Sequence, residues 1–390
     1  MAAPRQRGAA DAERDLLPEG LADRLPAAAA AQQHVMRAAL DACDAYGYDR
    51  VVPPSIEYEA NLTGRMAGVA RARMFRFVDP ASLATLALRS DITVQVGRIA
   101  ATVMADAPRP LRLCYAGQVV TMVGDGLSPQ RERLQIGAEL IGSDSVEAAA
   151  ETIEVAVAAL DAAGAGALSV DLTLPDLIAL LGGDDLDPTR AGALRDALDA
   201  KDVGALVAAG GEAWAPLIAA AGPFEDAIAR LEAFDRDGSP RPGALAPRIA
   251  QLRALKERIG NLATLTLDPA ERHGFEYQSW LGFTLYAAGG RGAIGRGGTY
   301  RILSDARAGA SSGEAASGFS LYPDALIDAL AQAPLRRDCL FLPLAHDRAV
   351  AAALRAEGWR TRAALDARDN AAALGCTHRL DPERGAVAAD

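Results

Sequence analysis

Apolar residues recur at helical spacing between Ala27 and Tyr46, where Val35, Met36, Ala39, Leu40 and Cys43 share one side and Gly47 stands at a helix C-cap position. The pattern then changes period. Tyr48 to Val52 reads as a strand stopped by Pro53 and Pro54, neither of which can donate to a ladder. Phe75 to Val78 and Leu83 to Leu88 flank Asp79-Pro80 and predict a hairpin, and a helix follows from Thr93 to about Ala105. Two longer strands come next, Leu111 to Val123 and Arg133 to Ile141, joined by a loop rich in Gly, Asp, Ser and Pro. In the second, Leu134, Ile136, Ala138 and Leu140 fall on one face and Arg133, Gln135, Gly137 and Glu139 on the other, which predicts one core face and one polar face.

Ser145 to Ala163 predicts a helix with Ser145 as N-cap and acidic Glu147 in its first turn. From about 165 to 265 the spacing is mainly helical, interrupted at Gly182-Gly183, Gly210-Gly211 and Pro240 to Pro242. Strands return at Leu262 to Leu267, at Glu276 to Ala287 and around Ile302, and a helix runs from Pro323 to about Ala331. The tail offers strand Leu340 to Leu344, helix Arg348 to Ala356 and strand Thr361 to Leu365. The organisation expected from this is a leader at 1–16, a main α+β body at 17–334 with a helical insertion at about 175–260, and a small α/β piece at 335–390.

Composition narrows the function. The 390 residues are 50% hydrophobic and 23% charged, a globular balance with room for more than one core. Apolar stretches break well before the ~18 to 20 residues a membrane span needs, and the leader has no apolar centre, so neither membrane nor secretion is expected. A net charge of −11 repels phosphate backbones and argues against a nucleic-acid partner. The four cysteines (Cys43, Cys114, Cys339, Cys376) form no C-x-x-C pair, and none of the four histidines stands at ligand spacing from another His or Cys. Neither a metal nor a disulfide framework is expected, and a reducing cytoplasm suits the chain. Both lysines, Lys201 and Lys256, lie outside a phosphate-loop context. Gly290 to Gly295 spells G-x-G-x-x-G, but the residues after it look extended, so a glycine-rich turn is the better reading and no cofactor is called for.

The element order resembles the class II aminoacyl-tRNA synthetase catalytic domain, and local motifs narrow the resemblance to the histidyl-tRNA synthetase-like family. Gly47 to Pro54, G-Y-D-R-V-V-P-P, resembles the first motif, which builds that family's dimer interface. Leu88 to Thr93, L-R-S-D-I-T, resembles its L-R-P-[DE]-x-T segment, with Ser90 in place of proline. Gln135 to Gly142 resembles the end of the second motif, Gly297 to Tyr300 a G-G-R-Y loop, and Gly318-Phe319 the start of the third. Coverage runs from about Leu17 to Leu330.

The departures are as informative. Amino-acid activation relies on fixed arginines that hold polyphosphate and stabilise developing negative charge. Ungapped alignment puts Thr121 at the second-motif arginine, Val123 at its glutamate, His273 at the arginine of the histidine-binding segment (Arg272 to Tyr277) and Ala325 at the third-motif arginine. No catalytic residue is therefore assigned. The resemblance does carry over an amino-acid pocket of Asp91, Thr93, Gln135 and Glu139, with Tyr277 placed to close it. Each has a plainer reading. Asp91 can cap the helix near Thr93, Gln135 and Glu139 can line a solvated sheet face, and Tyr277 can be a core aromatic. In favour of the pocket, Gly137 stands between Gln135 and Glu139 on one strand face, where a glycine lets a ligand approach the backbone.

A synthetase-like body with a lost activation site and a kept pocket is similar to the regulatory subunits that accompany short-form ATP phosphoribosyltransferase. That likeness implies the short catalytic subunit as partner, histidine as ligand, and a homodimer within a hetero-octamer. Two other readings stand beside it: a divergent histidyl-tRNA synthetase or other amino-acid activating enzyme, and a free-standing histidine-binding module.

Overall fold

The computed structural model describes residues 17–63, 74–124, 129–183, 186–272, 278–290, 292–303, 313–332, 338–381 and 384–389. Two compact units emerge, Met1–Ala331 and Gln332–Asp390.

In the first unit the chain opens with the helix Pro26–Ala45, whose proline occupies the first turn, where a missing N–H costs nothing. Gly47, at φ +78°, turns the chain out of it into β1 (Asp49–Arg50). A small antiparallel sheet follows, built of β2 (Ile56–Tyr58), β3 (Arg76–Val78) and β4 (Thr85–Leu88) in the order β2-β4-β3. The large sheet takes β5 (Leu111–Val120), β6 (Glu132–Ile141), β7 (Leu168–Thr173), β8 (Gly222–Pro223), β9 (Thr264–Leu267), β10 (Gln278–Ala287), β11 (Gly295–Ile302) and β12 (Glu314–Leu321). Its nine-strand order is β1-β5-β6-β12-β11-β10-β7-β9-β8, antiparallel except where β1 meets β5 and β7 meets β9.

Both faces of this sheet are covered. On one lies the helix Val146–Ala162, so rich in Ala and Val that ten of its residues are buried and the helix Pro26–Ala45 packs closely behind it. Ser145 caps it by accepting from Ala148 N at 3.2 Å, worth about 1 kcal/mol. On the other face the helix Thr93–Ala101 presses Ile92, Val94 and Val96 against Leu113, Tyr115, Ile141, Tyr300 and Ile302. Helices between Leu177 and Ile259 extend the first core.

Several expectations need correction. Leu168–Thr173, read as part of a helical stretch, is strand β7 inside the large sheet. The Arg133 to Ile141 strand has no solvated face, because Gln135 and Glu139 are 0% and 1% exposed. The glycine-rich run, by contrast, is the turn that was expected, with positive φ at Gly289 and Gly292 ahead of strand β11, and Arg291 lies outside the described residues.

The second unit is a four-stranded sheet in the order β14-β13-β15-β16, from β13 (Cys339–Leu342), β14 (Arg360–Ala363), β15 (His378–Asp381) and β16 (Gly385–Ala388). Its helix, Arg348–Ala356, is capped by Asp347, which accepts from Ala349 N and Val350 N. Leu340, Leu342 and Ala351 form its fully buried core.

Candidate functional site

The polar residues singled out in sequence converge on the face of the large sheet that meets the helix Thr93–Ala101. Register explains the convergence. Glu139 on β6 stands opposite Gly318 on β12, Gly318 opposite Gly298 on β11, and Gly298 opposite Gly282 on β10. A carboxylate therefore borders a row of three glycines on adjacent strands. One step along, Tyr115, Gly137, Ser320 and Arg296 make the neighbouring row.

The glycines are needed because side chains lie flat across them. A Cβ at Gly318 would stand 1.6 Å from Glu139 Oε2, and one at Gly282 would stand 2.6 Å from Gln278 Oε1. Gln278 Nε2 donates to Gly297 O at 2.8 Å, which holds that amide over the row. Gly137 serves the same kind of purpose. Its missing Cβ would fall 2.4 Å from both the Tyr115 hydroxyl and Phe319 O, so its space is filled by the protein itself rather than kept for a ligand.

Glu139 accepts from Tyr115 Oη at 3.0 Å and from Tyr300 Oη at 2.5 Å. Burial pushes its carboxyl up to about 8; the two tyrosine hydroxyls pull against that, and the nearby charge of Asp91 adds to it. At neutral pH the group is mainly protonated. Burial also raises the Tyr115 phenol well above its ordinary value. The Tyr115 hydroxyl further meets Thr93 Oγ1 at 2.8 Å and Ser320 Oγ at 3.2 Å. Gln135 is held at both ends: Oε1 accepts from Ile92 N, while Nε2 donates to Asp91 Oδ1 and to Ser320 Oγ, all at 2.8 Å. Asp91 also accepts from Thr93 N at 2.9 Å, but it stands one residue before the helix N-cap position expected for it, which Ile92 occupies.

The fold thus gathers Asp91, Thr93, Gln135 and Glu139 into one hydrogen-bonded cluster and adds Tyr115, Tyr300 and Ser320, with Gln278 lining the same cavity; sequence reasoning did not select these four. Tyr300 was within reach, being the last residue of the recognised Gly297 to Tyr300 run. Tyr277 and His273 lie outside the described residues. The cavity bounded by Thr93, Glu139, Gln278, Arg296, Tyr300 and Ser320 measures about 20 Å³, room for a water molecule rather than an amino acid.

The sequence profile of histidyl-tRNA synthetase matches residues 20–326. The chain is 43% identical to the ATP phosphoribosyltransferase regulatory subunit of Paramagnetospirillum magneticum, over 95% of this chain and 97% of that relative. It is 40% identical to the protein of the same name from Rhodospirillum rubrum, covering 97% and 98%. The chain belongs to the histidyl-tRNA synthetase-like family of ATP phosphoribosyltransferase regulatory subunits.

Solved structures agree on the fold. An ATP phosphoribosyltransferase regulatory subunit/histidyl-tRNA synthetase from Bacillus halodurans superimposes with a TM-score of 0.77 at 22% identity, over 93% of this chain and 96% of that one. Histidyl-tRNA synthetase from Nostoc gives 0.76 at 16% identity, over 94% and 91%.

The residues that sequence reasoning expected at synthetase arginine positions are engaged locally. Thr121 Oγ1 donates to Val123 O at 2.9 Å, inside its own loop. Arg131, paired with Thr121 across the hairpin, places its guanidinium 4.8 Å from the centre of the Phe75 ring and donates to Glu19 O and Thr121 O. Ala325 is exposed, and beside it Arg24 and Arg133 approach buried Asp324 at 2.5 and 3.6 Å. Arg89 of the L-R-S-D-I-T segment is 7% exposed and donates to Pro53 O and Gln118 O, both at 2.8 Å, which ties the first-motif strand to β5. Among the described residues, no group of three or more His, Cys, Asp or Glu is arranged to hold a metal, and no helix is long and apolar enough to cross a membrane.

Proposed function

We propose that this chain is the non-catalytic regulatory subunit of ATP phosphoribosyltransferase, binding and activating the short-form catalytic subunit and making the assembly respond to histidine. The observation that carries the reading is the 43% identity, across nearly the full length of both chains, to a relative bearing that name. The site supports it. The positions aligned with activating arginines hold Thr121 and Ala325, while the buried cluster keeps the hydrogen-bonding groups suited to a small zwitterion.

In this reading histidine takes the old amino-acid pocket, with Asp91 and Thr93 toward the α-amino group, Gln135 and Glu139 lining the wall and Tyr277 closing it. With a cavity of about 20 Å³, entry requires Glu139 and Gln278 to lift from the glycine row. Such a movement gives histidine different affinities for two states of the subunit, which is what feedback needs. A homodimer within a hetero-octamer is part of the same proposal. Val52 of the first motif is 75% exposed, apolar surface suited to such an interface.

The test is phosphoribosyl-ATP formation by the matching short catalytic subunit, with and without this chain and then with histidine added. Strong activation that histidine suppresses is expected. No activation, together with histidine-dependent ATP–pyrophosphate exchange by this chain alone, would make it an enzyme instead.

A further inference from the structure

Four cysteines scattered in sequence meet as two pairs in space. Cys43 and Cys114 lie together in the core of the first unit, at 0% and 1% exposure, with Cys114 Sγ donating to Tyr48 O at 3.5 Å. Cys339 and Cys376, separated by 37 positions in the second unit, bring their sulfurs to 3.4 Å. The contact at the second pair is built into the sheet. Cys339 begins β13 and Cys376 lies two residues before β15, the parallel neighbour in which His378 stands opposite Leu340. Thr377 fastens the two backbones together, accepting from Cys339 N at 2.9 Å through Oγ1 and donating to Cys339 O at 3.4 Å. Neighbouring strands lie about 4.8 Å apart, within the spacing a disulfide spans.

We propose that Cys339 and Cys376 are a site of oxidative modification, closing to an intramolecular disulfide that cross-links β13 to the start of β15. With a low-molecular-weight disulfide as oxidant, one cysteine thiolate attacks it, forming a mixed disulfide and releasing one thiol. The second thiolate displaces the other half. Two protein thiols lose two electrons and two protons, and one oxidant disulfide becomes two thiols.

The unit has reason to use such a link. Its fully buried core is Leu340, Leu342 and Ala351, and a sheet with so little apolar burial is held weakly. Cys376 is pushed up to about 11, chiefly by burial, so thiolate is scarce at neutral pH and closure is slow, quickening as pH rises. The Cys43–Cys114 pair is sealed in the larger core and serves as an internal control.

The full chain is incubated with oxidised glutathione at pH 8, unfolded in an alkylating reagent and mapped without reduction. The expected result is alkylation at Cys43 and Cys114 only, a peptide joining Cys339 to Cys376, and no joined peptide in Cys376→Ser. In the oxidised protein, amide exchange at 340–342 and 378–380 slows by roughly three orders of magnitude, the scale expected when a loop of this length is closed. Four alkylated cysteines, or glutathione left on a single cysteine of the wild type, would overturn the proposal. Equal exchange in the two forms would overturn its stabilising role.

Discussion

Replacing Glu139 by glutamine exchanges a buried ionisable group for a neutral one of nearly the same shape. In the folded chain the carboxyl is held at about 8, against 4.5 for an ordinary glutamate. Between those values the unfolded chain has released the proton that the folded chain retains, so stability falls as pH rises. The contribution is fully present below pH ~4.5 and lost by the time pH passes ~8. Each pH unit in that window is worth about 1.4 kcal/mol, giving an upper bound on the order of 5 kcal/mol. The variant has no such loss, so its unfolding free energy should gain on the wild type by up to ~1.4 kcal/mol per unit from pH 5 to 8. Urea unfolding at several pH values and constant salt, followed by tryptophan fluorescence, measures the difference. Groups common to both proteins cancel in it. Parallel stability curves across the window would mean that Glu139 ionises normally and that the cluster is not shielded from solvent.

Substitutions at three positions probe the same region. Gly318→Ala places a methyl 1.6 Å from Glu139 Oε2 and must displace the carboxyl from Tyr115 and Tyr300; the urea midpoint should fall by the equivalent of about 2–4 kcal/mol, and a wild-type midpoint would contradict the packing described. Arg89→Ala leaves the Pro53 and Gln118 carbonyls without their donor and should cost about 3 kcal/mol in the same measurement, with Arg89→Lys intermediate because one ammonium cannot reproduce the planar fork. Glu139→Ala should weaken histidine binding at least ~10-fold by calorimetry, the scale of one lost hydrogen bond to a buried site; unchanged affinity would remove this pocket from the proposed function.

The α+β class and much of the element order were legible because the periods are clean. The helices after Ser145 and from Arg348 to Ala356 have caps that name their starts, and β6 alternates aliphatic with polar or small residues along its length. Strand β7 was missed although Leu168, Val170 and Leu172 alternate with Ser169, Asp171 and Thr173. Six residues set between Ala-rich helices are too few to outweigh the helical spacing on either side. At the site, periodicity separated Gln135 and Glu139 from the aliphatic face but could not tell a solvated polar face from a buried one, since both alternate identically. That distinction depends on the helix Thr93–Ala101 lying over the sheet, a long-range fact. Gly137 had a purpose, as expected, but that purpose is the Tyr115 ring one strand away.

Under the proposed function, the row from Gly318 through Gly298 to Gly282 would divide the labour of recognition between backbone and side chains. A floor made only of backbone is chemically generic, and whatever is selected above it is selected by the two side chains that recline on it, Glu139 and Gln278. Such a pocket is easy to re-tune over evolutionary time. A change at either covering residue alters size and polarity without disturbing strand pairing, whereas a change in the floor collides with its neighbours at once. On the proposed reading, such a scaffold would pass from activating a ligand to sensing it by small steps that leave the fold intact.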